Sequence, residues 1–347
     1  DNVLCMPLGR GPGTVEWGDP EDQGTPVCVF LFEVAMVLYH LGVQVNLKQY
    51  QLHQQTHHQN VFALEAARRQ QVNEIFLKIY RDDANDAMRA CTWLKARVQS
   101  DSKRALMFDS MVLALRVLET YEGTPAFAYL PQLLPENALQ MFHALRRAEH
   151  SLDTTEGPWA EGCQLVVTWL VRHLDDPTIV NPDLPDLLLK SVSALVQQQA
   201  MLRCFEANHE AQAHLIPKVL SAFSTRTWVT TAKLLLLLLP DRNLGRDHAP
   251  VSSPLFRERF AAMVRSPSPV FGSKLSSVAV MDKFVAVLLN HLNWSISELR
   301  EAVQELDGRV QARHRVAASS LQKCEMMFKL TCSLLRLLET VTELLPE

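Results

Sequence analysis

Glycine and aromatic residues are scarce in this chain: 12 glycines in 347 residues, and 7% Phe, Trp and Tyr together. An all-β protein needs many tight turns and many β-branched or aromatic strand residues, so that class is excluded. Neither sign of charge dominates, with 34 basic against 38 acidic side chains and a formal net charge of −4. The broad positive footprint of a nucleic-acid binder is missing, and no nucleic-acid partner is expected. Long hydrophobic runs are missing too. The best candidate, Leu234–Leu239, sits between Lys233 and Pro240, whereas a membrane span needs about 20 apolar residues. It reads as the end of a buried helix, and no membrane association is expected. No signal peptide opens the chain. Its start at Asp1 rather than methionine suggests a piece of a longer protein.

Cysteine is present but lacks any framework. The seven, Cys5, Cys28, Cys91, Cys163, Cys204, Cys324 and Cys332, are odd in number and scattered, and no C-x-x-C occurs. That excludes a RING or zinc ribbon within these residues. It points to a reducing compartment, so a cytoplasmic location is expected.

What is abundant is helix. Leu, Ala, Gln, Glu and Arg, good helix formers, dominate the composition. Residues 1–26 carry Gly, Pro and acid with no period and read as a flexible arm. Their Gly-Arg-Gly-Pro-Gly run lacks the Lys-Ser/Thr of a phosphate loop. From Val27, Phe30, Leu31, Val34, Leu38 and Leu41 recur at three- and four-residue spacing, one face of a helix. Further helices are expected over Asn60–Tyr80, Ala84–Gln99, Ala105–Tyr121 and Glu136–His150. Gly123, Thr124 and Pro125 stop the third of these. Beyond a break at Gly157-Pro158 come Glu161–Leu174, Leu184–Gln199, Ala211–Phe223 and Trp228–Leu239. A short helix is expected at Phe256–Val264. Two long ones follow, Val278–Ala317 (broken near Trp294) and Leu321–Leu345. The expected organisation is an N-terminal helical subdomain at 27–156, a middle one at 157–240, a linker with a short helix at 241–277, and a long-helix subdomain at 278–347. The fold class is all-α. With no fixed repeat period, an irregular armadillo- or HEAT-like solenoid fits better than a four-helix bundle.

Few constellations could carry chemistry. His53, His57 and His58 form H-x₃-H-H, and a helix would put His53 and His57 on one side. No glutamate lies between them as in a metalloprotease motif, and no third ligand is nearby. A solvated His/Gln-rich connector is the preferred reading. Cys324 and Cys332 lie among Met326, Met327, Leu330 and Leu334 and read as core. The carboxylate pairs Asp82/Asp83 and Asp175/Asp176 read as helix-end caps. No nucleophile elbow and no dinucleotide fingerprint occurs. Arg68-Arg69, Arg146-Arg147 and Arg309, Arg313 and Arg315 read as solvated faces, with an acidic partner surface as the lesser alternative. In Asn181-Pro182-Asp183-Leu184-Pro185 the prolines mark the start of a helix. No residue is assigned a catalytic, cofactor-binding or metal-ligand role, and the partner-contact residues cannot be named from sequence.

Several segments resemble one family in order along the chain: FLFEVAMVLYHLGVQVNLKQ, LALRVLETYEGTPAFAYLPQL, PTIVNPDLPDLLLKSVSAL, LLNHLNWSISELREAVQEL and KCEMMFKLTCSLLRLLETVTELLPE. They resemble the helical middle region of the SPRY- and RING-bearing E3 ubiquitin ligase of the Kip ubiquitylation-promoting complex. The Asn181-Pro182-Asp183-Leu184 segment is also similar to the armadillo-like core of U-box chain-elongation ligases. Both resemblances imply a scaffold that docks substrate or partner proteins and positions an E2-recruiting domain lying outside these residues. They imply no cofactor here, zinc being expected only in such a RING. Two other readings compete: a helical-repeat adaptor unrelated to ubiquitin, and a metal-dependent enzyme working through His53 and His57.

Overall fold

The computed structural model describes residues 26–124, 127, 130–146, 157–176, 179, 181, 183–223, 226–239, 253–265, 277–311 and 318–344. Residues 1–25 of the expected arm and most of the expected linker at 241–277 lie outside them. Every regular element among the described residues longer than a single bridge residue is a helix, so the fold is all-α, as expected from composition and periodicity. In chain order the helices are α1 (Pro26–Leu38), a π-helical turn (Tyr39–Val43), α2 (Gln44–Arg69), α3 (Glu74–Val98), α4 (Asp101–Tyr121), α5 (Leu133–Arg146) and α6 (Gly157–His173). Then follow α7 (Asp183–Val196), α8 (Gln199–Ala207), α9 (His209–Ser221), α10 (Trp228–Leu238), α11 (Pro254–Arg265), α12 (Ser277–Gln311) and α13 (Ala318–Leu344). The chain divides into two compact units, Asp1–Asp153 and Thr154–Glu347.

The first unit is built from two helical pairs. α2 and α3 form a hairpin whose tight turn uses Gln71 at φ 53°. Asn73 caps α3, its Oδ1 accepting from the Ile75 N–H at 3.1 Å. Two contacts fix an antiparallel register: His57 Nδ1–H donates to the Ala84 carbonyl at 3.0 Å, and the Cys91 thiol donates to the Tyr50 carbonyl at 3.9 Å. In that register the facing positions repeat every three and four residues. They run through Tyr50, His53, His57, Asn60, Leu64 and Ala67 on α2, and through Ala84, Ala87, Cys91, Leu94 and Val98 on α3. Small side chains on α3 make room for large polar ones on α2. In the other pair, Met111, Leu115 and Leu118 of α4 are buried against Leu139 and Phe142 of α5. The fully buried Asn137 of α5 donates Nδ2–H to the Met36 carbonyl of α1 at 2.9 Å, tying chain segments about a hundred residues apart. Gly123, at φ 76°, ends α4 in the left-handed conformation that glycine adopts at least cost.

Several expected boundaries are corrected here. One helical stretch over Asn60–Tyr80 does not exist: α2 runs to Arg69, and the chain turns before α3 begins at Glu74. The segment holding His53, His57 and His58 is mid-helix, not a connector. Its inward face is Tyr, His, His and Asn, so an apolar period does not reveal it. Asp82 and Asp83 lie in the middle of α3, exposed, and cap nothing.

The second unit packs α6 on α9 and α7 on α10, with α8 wedged among α6, α7 and α9. Trp169, Phe205, Phe223, Phe256, Phe260 and Phe284 fill its core. The run Leu234–Leu239 is part of that core, as expected. No described helix is long and apolar enough to cross a membrane. α12 packs on α9 and α11, and α13 on α10. The stretches that the sequence separates at 157–240 and 278–347 thus share one unit. α12 is continuous through Trp294, which corrects the expected break there. Ser295 turns its hydroxyl back onto the Leu292 carbonyl at 2.9 Å and leaves the helix intact. α8 was not expected: the glutamines at 197–199 continue a helical composition and hide the turn at Gln198.

One buried amide organises three helices. Asn208 caps α9 by accepting the Ala211 N–H at 3.0 Å. Its Nδ2 donates to Gln164 Oε1 at 2.8 Å and Thr168 Oγ1 at 2.9 Å, both on α6. Gln164 in turn donates to the Cys204 carbonyl of α8 at 3.2 Å. Asn208→Ala removes the cap and strands two polar groups, so a loss of about 2–3 kcal/mol is expected in urea unfolding. Asn208→Asp, which keeps the cap but lacks the donors, is expected to fall between.

Candidate interaction surfaces

The residues that could have formed a reactive centre are dispersed. His53 and His57 point into the α2–α3 seam, and His58 is exposed beside them, its ring 6.0 Å from that of His57. The His57 Nδ1 proton is committed to Ala84. Among the described residues no group of three or more His, Cys, Asp or Glu comes close enough to hold a metal ion. Cys163 and Cys204 are buried together between α6 and α8. The hydrogen bond to Cys204, and then burial, push the Cys163 thiol far above its usual range, the reverse of what a nucleophile needs. Cys324 and Cys332 are half-buried along α13 rather than in a core.

The other flagged groups serve the fold. Asp176 accepts from His173 Nδ1 at 2.9 Å just beyond the end of α6. Asn181 Oδ1 accepts the Asp183 N–H at 2.9 Å and so starts α7, and Leu184 is fully buried. Pro182 lies outside the described residues. Arg226 reaches back to Asp183 at 2.6 Å and Asp186 at 3.1 Å, pinning the first turn of α7 to the approach to α10. Those hydrogen bonds hold the Arg226 guanidinium protonated more firmly than usual. Arg68 and Arg69 are exposed at the end of α2, and Arg309 pairs with Glu305 at 2.7 Å. Arg147, Arg313 and Arg315 lie outside the described residues.

What the structure adds is exposed apolar surface, concentrated on the long helical pairs. On the α2–α3 hairpin, Phe62 is 74% exposed on the side of α2 away from the seam. The hairpin register sets it level with Ile79, and Ile75 and Phe76 lie one turn further on, also exposed. Trp93, further along α3, is exposed and carries the Arg97 guanidinium 5.1 Å from its ring centre. On α12, Leu289, Trp294, Ile296 and Val303 are exposed, and on α13 Leu321, Met326, Phe328 and Leu335. Surfaces of this kind mark places where other protein binds.

α12 is held to its unit by an aromatic cluster. His291 stacks on Trp228 with ring centres 4.4 Å apart, and Phe284 meets Phe223 edge-on at 4.9 Å. Partial burial lowers the His291 pKa below its ordinary 6.5.

The C-terminal hairpin is also where a family model matches. Residues 282–347 match the RNF123-like TPR repeat. A TPR unit is a helix–turn–helix that stacks on its neighbours through an apolar face. Here α12 alone spans 35 residues, longer than a whole standard repeat of about 34. The chain is also similar, at 28% identity over 331 residues, to the E3 ubiquitin-protein ligase RKP of Arabidopsis thaliana. That match covers 91% of the chain. It is related to an E3 ubiquitin ligase. The chain spans about a quarter of that relative's length. No solved structure matches.

Because the folded His291 binds its proton less readily than the unfolded residue, the unfolded chain takes up more protons below pH 6.5. The stacking contribution is therefore complete above that pH and declines as pH falls through it. His291→Phe keeps an aromatic ring on Trp228. Between pH 7 and pH 5.5, urea midpoints are expected to fall less for this variant than for the parent chain. Equal falls would contradict the assignment.

Proposed function

We propose that this chain is the helical scaffold region of a RING-type E3 ubiquitin ligase of the Kip ubiquitylation-promoting kind. It docks substrate or partner proteins and positions a RING domain outside these residues for ubiquitin transfer in the cytoplasm. One observation carries the reading: similarity to a ubiquitin ligase extends over nine-tenths of the chain while taking up a quarter of that ligase. The related part is thus one region of a longer machine. Three further features agree with it. His57, the His173–Asp176 pair and the Cys163–Cys204 pair are engaged in holding helices or helix ends in place. The match to a TPR repeat fits a protein-binding role. Exposed apolar rows on the long helices offer the surface on which partners dock. Zinc, on this reading, belongs to the RING and not to His53 or His57.

The helical-repeat adaptor without a ubiquitin link makes the opposite forecast in one experiment. With E1, E2 and ubiquitin, the chain alone is expected to form no ubiquitin conjugates. The parent protein is expected to form them. Removing residues 27–347 from the parent is expected to leave free ubiquitin-chain synthesis intact and to abolish modification of its substrate. A parent with no E2-recruiting domain, or substrate modification unaffected by the deletion, would overturn the proposal.

A further inference from the structure

α12 and α13 pair along their length, and the pairing register is visible. The Thr331 hydroxyl donates to the Ser295 carbonyl at 3.3 Å, and Lys323 meets Glu298 at 3.7 Å. Buried positions follow at three- and four-residue spacing. Leu288, Leu292, Ser295 and Ala302 form the α12 side of the seam; Met327, Thr331, Leu334 and Val341 form the α13 side. The spacing is that of a two-stranded antiparallel coiled coil.

The two flanks of this seam differ. One carries Phe284 and His291 on α12 and the fully buried Leu337 on α13. It is the side engaged with the rest of the unit, through Phe223 and Trp228 and through the packing of α10 on α13. The opposite flank carries one residue every seventh position on each helix: Leu289, Ile296 and Val303 on α12, and Leu321, Phe328 and Leu335 on α13. Each follows directly after a seam position. In an antiparallel pair, residues that stand in this same relation to the seam lie on the same side of the hairpin. The register sets them level as Leu289 with Leu335, Ile296 with Phe328, and Val303 with Leu321. All six are between 46% and 57% exposed. The result is a ladder of three apolar rungs, open to solvent, on the face turned away from the unit's core.

We propose that this ladder is the contact by which two copies of the chain associate, face to face, into a four-helix bundle. Two observations favour a second copy as the occupant. The first is charge. With the two-fold axis parallel to the hairpin, α12 of one copy lies along α13 of the other, and every neighbouring pair is antiparallel. The outer rim of the ladder then carries Arg300 on α12 at the level of Glu325 on α13. Within one copy these sit on opposite edges. Across the axis Arg300 meets the partner's Glu325, twice by symmetry, and Glu325 gives up part of its bond to Lys329 on its own helix. The second is area. The six side chains expose on the order of 500 Å² per copy, so pairing removes about 1,000 Å² in total before flanking residues are added, the lower end of a specific interface. An isologous contact with matched rows and matched rims closes on itself at two copies.

The test is the solution mass of the chain by light scattering and sedimentation between about 1 and 100 μM. A dimer is expected, and Ile296→Glu with Phe328→Glu is expected to shift it to monomer with unchanged helical circular dichroism. Because that double variant could perturb folding, a milder pair decides independently. Arg300→Glu and Glu325→Arg each place like charges across the axis, and each alone is expected to weaken the dimer at least tenfold. Mixed together, the two variants restore both Arg–Glu contacts, and the mixture is expected to recover a dimer holding one copy of each. A chain that stays monomeric throughout overturns the proposal, as does a dimer indifferent to these four substitutions or a mixture that fails to recover. A monomer whose ladder is protected from solvent only on adding an amphipathic helical peptide would also overturn it, and would assign the face to a partner helix.

Discussion

A pair of antiparallel helices can bury only one stripe of each partner. Everything distinctive about this chain follows from how that constraint is met in different places. Where further helices crowd in, as around α6 to α10, more of each helix is covered, and large side chains are wholly enclosed. Trp169, Leu170, Leu188, Leu215 and Leu235 are fully buried there. Where a long hairpin has few neighbours, one seam is hidden and other faces stay in water. On α2 and α3 the seam itself is partly polar, with His53, His57 and Asn60 fitted over Ala84 and Ala87. On α12 and α13 the seam is apolar and a second apolar row lies beside it. Burying such a row stabilises by roughly 25 cal/mol per Å², and that gain is available only to a docking partner.

The polar groups described inside the chain locate and orient helices. The Asn208 amide makes three hydrogen bonds at the junction of α6 and α9, and Gln164 extends the network to α8. Asn137 and Arg226 each tie segments distant in the chain. A buried amide or ion pair gives little net stability, but leaving its partner unsatisfied is costly. Such groups therefore select one packing of helices over the many that apolar contact alone would tolerate. Precise placement of helices is what the proposed docking role would require.

Much of the fold was legible in the sequence because apolar periodicity and punctuation coincide in the second half. Pro185 at the start of α7 and the leucines of α10 gave their helices directly, and Gly123 did the same for the end of α4 in the first half. Legibility failed where the inward face is not apolar. α2 was missed because its seam reads Tyr, His, His and Asn. The turn at Gln70–Asn73 was missed because it uses glutamine in a left-handed conformation instead of glycine. α8 was hidden behind a run of glutamines. The interaction surfaces were not legible at all. Leu288 and Leu289, or Met327 and Phe328, look alike in a sequence, and only the register decides which is seam and which is surface.

That register is the central claim, and two adjacent methionines test it. Met326 is 58% exposed on the outer side of α13, while Met327, one residue on, is 3% exposed in the seam. Met326 also lies off the proposed dimer face, so association does not shield it. Limited oxidation with dilute hydrogen peroxide, read peptide by peptide in a mass spectrometer, should convert Met326 to the sulfoxide at least ten times faster than Met327. Equal rates, or faster oxidation of Met327, would mean that α13 does not pair on α12 in this register, and the account of the apolar ladder would fall with it.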